Sequence, residues 1–86
     1  MTIALLLIDI QNDYFPGGNM ELAGIENAAN SARQLLTEFR NKKSPVFHIQ
    51  HVSTRPNATF FLPDTVGVKI NDCVKPNTDE LRVHLP

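Results

Sequence analysis

Four polar side chains with chemical capacity stand close together just behind the apolar run Ala4-Leu5-Leu6-Leu7-Ile8: Asp9, Gln11, Asp13 and Tyr14. A carboxylate such as Asp9 can give or take a proton in hydrolysis or addition. Further on, His48 and His51 carry imidazoles, and Cys73 carries a lone thiol. Histidines three apart in a strand point to opposite faces, so His48 and His51 do not share one ion, and no metal is expected. Cys73 is followed by Lys75-Pro76 rather than by a helix whose N-terminus would lower its pKa, so it reads as a small incidental or buried residue. Asp13 reads as a loop-capping acid.

The position of Asp9 depends on what precedes it. An unalternating apolar run of this length is the pattern of a strand buried on both faces of a parallel sheet. The segment from about Thr2 to Ile8 is therefore predicted as the first strand. Ligands of open α/β sheets bind beyond the carboxyl ends of the strands, which is where this places Asp9. The stretch Gln11 to Asn19 is rich in turn residues, with Pro16 fixing its own φ and Gly17 or Gly18 free to adopt positive φ. From Ile25, the residues Ala28, Ala29, Ala32, Leu35, Leu36 and Phe39 recur at three- and four-residue steps, predicting an amphipathic helix from about Gly24 to Lys42. Glu26 near its start and Arg40, Lys42 and Lys43 near its end complement the helix dipole, and Pro45 stops it. Pro45 to Val52 reads as a second strand. Strand, helix, strand implies a parallel pair joined by a right-handed crossover. Beyond Ser53 the pattern loosens, with a short helical turn or coil expected within Val66 to Val74 and a third strand starting at Leu81-Arg82-Val83.

Composition narrows the class without naming a function. At 86 residues the chain is shorter than a common domain of about 100–150 residues. Its 42% hydrophobic and 20% charged content is that of a folded globular protein. A net charge of −1 with scattered Lys and Arg offers no stripe for a phosphate backbone, so no nucleic acid partner is expected. The apolar start lacks a basic leader and a small-residue cleavage site, so neither export nor membrane insertion is expected, and a cytoplasmic location fits. A single cysteine agrees with a reducing compartment.

The series Asp9-Ile10-Gln11-Asn12-Asp13-Tyr14-Phe15, followed by Gly17-Gly18, resembles the opening of the isochorismatase-like cysteine hydrolases. The helix, the Pro45-Val46 strand, the Gln50-His51 pair and the loop with Phe60 or Phe61 follow in that family's order. The resemblance implies a Rossmann-like three-layer α/β fold with a mostly parallel sheet between helices. It covers only the first half of such a domain, whose members are about twice this length. The fold expected is thus a partial one, a parallel sheet of two or three strands with one long helix, in a chain that is truncated and inactive alone.

The family's chemistry, as the resemblance implies it, hydrolyses an amide or related bond in a small molecule by means of a cysteine, an aspartate and a lysine. The thiolate attacks, the aspartate handles its proton and the lysine supports the charged states. Isochorismatase itself cleaves an enol ether without that cysteine. Asp9 matches the catalytic aspartate. Tyr14 falls on the aromatic position flanking the substrate and Gln11 on the glutamine of the motif, with a substrate-side or structural role. By its place near the carboxyl end of the second strand, His51 either lines the pocket or is a hydrogen-bonded structural histidine. Val83 occupies the position of the lysine, Arg82 is a poor substitute for it, and the nucleophile's place lies beyond Pro86. No cofactor is implied.

Two other readings stand beside this one. A half-domain with exposed sheet edges would serve as a non-catalytic interaction or homo-oligomerisation module. A phosphoaspartate protein would also start with strand and Asp, but position 11 is Gln where a phosphatase needs a second aspartate.

Overall fold

The computed structural model describes residues 2–86. Three strands, β1 (Leu5–Ile8), β2 (Val46–His51) and β3 (Leu81–Leu85), and one helix, α1 (Ile25–Asn41), follow in the order β1-α1-β2-β3. Both strand pairs are parallel, with β2 in the centre. The registers Leu5↔Val46, Leu7↔His48 and His48↔Arg82 set these residues on one face, and Leu6↔Phe47, Ile8↔Ile49 and Ile49↔Val83 set the others on the opposite face. The chain is thus α/β with a parallel three-stranded sheet and one long helix, the expected partial Rossmann-like arrangement. Among the described residues, no helix is long and apolar enough to cross a membrane.

Helix α1 packs across β1 and β2. Its inward stripe runs through Ile25, Ala29, Ala32, Leu36 and Phe39, while Ala28 and Leu35 of the expected stripe face solvent. Leu36 meets Leu7, Val46 and Val74 in the core, with Leu5, Ile10 and Cys73 around them. Each large aliphatic side chain buried there contributes about 1.5–3 kcal/mol. The helix stops in a Schellman turn: the Ser44 N–H donates to the Phe39 carbonyl (2.9 Å) and the Lys43 N–H to the Arg40 carbonyl (3.1 Å). Lys43, at φ 55°, fills the left-handed position that glycine usually takes.

The expected burial of β1 on both faces is not what forms. Only the helix side is covered. On the other face Leu6, Ile8 and Leu81 remain 54%, 59% and 57% exposed, beside half-buried Phe47, Ile49 and Val83. The run of β1 is apolar on both sides, as in a sheet sandwiched between helices, but the described residues supply two layers and not three.

The segment between β2 and β3 is irregular and folds back over the carboxyl ends of β1 and β2. Gln11 forms an antiparallel bridge with Ile70, the Asn12 N–H donates to Lys69 (3.0 Å), and the Asn71 N–H donates to Ile10 (2.8 Å). The helical turn expected within Val66 to Val74 is a short 3-10 turn at Asp72–Val74. Length without periodicity here reflects backbone groups satisfied by distant loops instead of by a regular element.

A charged network ties the start of β3 to the layer beneath it. Arg40 donates from Nε (2.7 Å) and Nη2 (2.8 Å) to the two oxygens of Glu80, a bidentate arrangement. His48, fully buried, meets Glu80 Oε1 through Nε2 at 2.8 Å. A carboxylate only accepts, so Nε2 carries a proton, while buried Nδ1 has no hydrogen-bond partner among the described residues. The Arg40 hydrogen bonds hold the Glu80 carboxyl down from 4.5 to about 2, against the upward push of burial and with help from the Asn77 N–H and His48. The folded-state value lies below the unfolded one, so the stabilisation is present above pH 4.5 and is lost as pH falls towards 2. Urea titrations across this window should show a steeper loss of stability for the native chain than for Glu80→Gln; equal slopes would contradict the network.

Candidate functional site

The site forms where β1 ends. The Asp9 N–H still donates to the Ile49 carbonyl (3.0 Å) as the last link of the strand pair, and Asp9 then turns to φ 58°. A left-handed residue other than glycine costs roughly 1–2 kcal/mol, less for Asp than for most, and such strain gathers at functional positions. The turn leaves the Asp9 side chain half-buried at the carboxyl end of the sheet.

Gln11 lies directly behind it and is fully buried. Its Nε2 donates to the carbonyls of His51 (2.8 Å) and Val68 (2.7 Å), and its Oε1 accepts from the His51 N–H (2.8 Å). The side-chain amide thus pairs with both polar groups of the His51 backbone as a neighbouring strand would. Both amide protons are engaged. Every one of these partners is a backbone group, so the Gln11 side chain ties the loop after β1 to the end of β2 and to the segment at Val68.

Tyr14 ends a 3-10 turn, Asn12–Tyr14, and its ring joins an aromatic cluster. Ring centres lie 4.8 Å apart for Tyr14 and Phe61, 5.0 Å for Phe60 and Phe61, and 5.5 Å for His51 and Phe61. Edge contacts of this kind add about 0.5–1.5 kcal/mol beyond area burial. Burial, and secondarily the Asp9 carboxylate, raises the Tyr14 phenol above its ordinary pKa of 10.0. Asp9 is thus near enough to act on the Tyr14 phenol, and Tyr14 and His51 pack on the same ring, Phe61.

Asp13 and Phe61 carry more than the sequence indicated. Asp13, 3% exposed, accepts from the Phe61 N–H (2.7 Å) and the Asn19 N–H (3.1 Å), so the expected loop-capping acid joins loops far apart in sequence. Phe61 is fully buried with φ 55°. Gly67 passes so close to the Asp13 carboxylate that a β-carbon there would overlap it. Nothing in residue type marked Phe61 as left-handed; Gly67 beside the acid-bearing loop was the available hint of close approach.

Other candidates lie elsewhere. His48 faces the helix side, whereas His51 shares the opposite face with Phe47 and Ile49. No cluster of three or more metal-binding side chains occurs among the described residues. Cys73 sits on the helix side against the core, and burial, despite the opposing effect of Arg33, pushes its thiol up, away from the nucleophilic thiolate. Val83, at the expected lysine position, is half-buried on the uncovered face.

Comparison with known proteins gives the family and the fold. The model of the Isochorismatase domain matches residues 3–84, and the chain belongs to the isochorismatase family. It is 51% identical over 88 residues to YddQ, an uncharacterised isochorismatase family protein of Bacillus subtilis, covering 100% of this chain and 49% of that protein. A crystal structure assigned as an isochorismatase hydrolase from Oleispira antarctica is similar at 44% identity and a TM-score of 0.92, over 98% of this chain and 46% of that one. N-carbamoylsarcosine amidase from Thermoplasma acidophilum shares the fold at 19% identity and a TM-score of 0.85, over 99% of this chain and 52% of its own. The chain spans about half the length of these relatives.

The backbone at Asp9 has a direct test. Glycine accepts φ 58° freely, whereas alanine does not. Asp9→Gly should be more stable than Asp9→Ala by about 1 kcal/mol in urea denaturation. The reverse order would place position 9 in ordinary extended backbone.

Proposed function

We propose that this chain is one half of an isochorismatase-family hydrolase site for a small amide or related substrate, with Asp9 handling the proton and Tyr14 and His51 against the substrate. The observation that carries the reading is the strained turn at Asp9, which brings a carboxylate to the open end of the sheet beside an aromatic cluster. In the chemistry implied by the resemblance, a thiol passes its proton to the aspartate and the resulting thiolate attacks the carbonyl carbon. The departing amine takes that proton, and the thioester is then cleaved by water activated by the same carboxylate. Asp9 fits the acid and base of both steps. Cys73, on the helix side, and Val83, at the lysine position, supply neither of the other groups. These 86 residues by themselves therefore do not complete the site, and the relatives extend over about twice the length that the chain matches.

Ammonia release from a panel of small amides tests this with the chain alone and with a polypeptide comprising the part of YddQ that the chain does not match. Turnover is expected only in the mixture and is lost with Asp9→Ala. A mixture no faster than that control would overturn the reading.

A second reading, a non-catalytic interaction module, is favoured by the uncovered apolar face through Leu6, Ile8 and Leu81. Such a face and two unpaired parallel edges favour association. Sedimentation velocity should show concentration-dependent self-association that Ile8→Glu abolishes. A monodisperse monomer at high concentration would count against it.

A further inference from the structure

Asp13 ties the loop after β1 to two points of the long segment after β2, Phe61 and Gly67. Besides the two hydrogen bonds to its carboxylate, its N–H donates to the Gly67 carbonyl (2.9 Å) and its carbonyl accepts from the Met20 N–H (2.8 Å). Of these links, the one to Phe61 falls on a residue that needs holding. Phe61 is left-handed without being glycine, and its carbonyl is fixed from the other side by the Ser53 N–H (2.8 Å). The Phe61 peptide is therefore gripped at both ends, by a buried carboxylate and by the extension of β2. A hydrogen bond to an ionised acceptor is roughly twice as strong as a neutral one, which suits it to oppose backbone strain. The ring held in this way touches Tyr14, Phe60 and His51 together.

We propose that Asp13 is a positioning residue: its buried carboxylate holds the Phe61 peptide in the left-handed turn that builds the aromatic wall beside Asp9. What the wall serves rests on the hydrolase reading above, but its construction does not. A plain loop tie would also stabilise the protein, so stability alone does not separate the two roles. Two properties do. If the carboxylate's task is to hold a strained Phe61, its removal must matter less where residue 61 needs no holding. It must also disturb Tyr14, which packs on the ring.

The experiment uses the full chain, with Asp13→Asn, Phe61→Gly and the double variant. Glycine adopts the left-handed conformation without strain. Asp13→Asn is expected to raise the unfolding constant about tenfold or more in the native background and at least about threefold less in the Phe61→Gly background. Tyr14 is the sole tyrosine in a chain without tryptophan, so intrinsic emission and phenol titration report on it alone. In folded Asp13→Asn the emission should change and the phenol should titrate closer to its ordinary value, while far-ultraviolet circular dichroism is retained. Equal fold-changes in the two backgrounds would overturn the proposal, as would a folded Asp13→Asn with native Tyr14 emission and titration. If Asp13→Asn does not fold, Asp13→Glu, which keeps the charge but displaces the acceptor, is compared in the same two backgrounds and judged by the same criteria. None of these readouts uses turnover, so an absence of hydrolysis would sink the proposed function and leave this inference standing.

Discussion

The organisation of the sheet's carboxyl end depends on one side-chain amide. After Ile8 the chain leaves the sheet, yet the backbone of His51 at the end of β2 still has polar groups to satisfy on that side. Gln11 meets them with its own carboxamide and reaches Val68 with the remaining proton. A hydrogen-bonded side chain thereby extends the pairing past the end of the strand. Without it, buried donors and acceptors would stand unpaired, at about 1–3 kcal/mol each. Because the strand is completed in this way, its last backbone residue, Asp9, can turn out of the extended conformation without opening the edge behind it.

The site is built by loops that are held to one another more than by the sheet. The loop after β1 and the long segment after β2 are distant in sequence, yet they are joined at Gln11, Asn12 and Asp13 through Val68, Lys69 and Gly67. The helix has little direct part in this end; its contribution is to anchor β1 and β2 through Leu36, Leu7 and Val46. The division matches what is asked of each part. Apolar packing fixes the strands in space, and directional hydrogen bonds fix the loops at the carboxyl end of the sheet.

The parts legible in the sequence are those whose signals are periodic or local. The stripe from Ile25 to Phe39 marked the helix to within a residue at each end, and the βαβ order gave the parallel pairing. The family was found from the series Asp9 to Phe15 with Gly17-Gly18 behind it, together with the helix and strand that follow in order. Burial of β1 was misjudged because an apolar residue records the surroundings for which it suits, and Leu6 and Ile8 suit a covered face that the described residues do not provide. The Arg40–Glu80–His48 network was not legible either. Its members are distant in sequence and become partners only once β3 is laid beside β2. Phe61 was equally hidden, since its conformation is imposed by Asp13 and Ser53 and not by its own preferences.

The one-sided sheet also has a calorimetric consequence. The heat capacity change of unfolding comes mainly from apolar surface newly exposed to water. Leu6, Ile8, Leu81 and Leu85 are already half in water when the chain is folded, so they add less to that change than covered residues would. The chain therefore has a flatter stability curve across temperature than a domain of equal length with both sheet faces covered. The deficit in heat capacity is a measure of the surface this fold keeps in reserve.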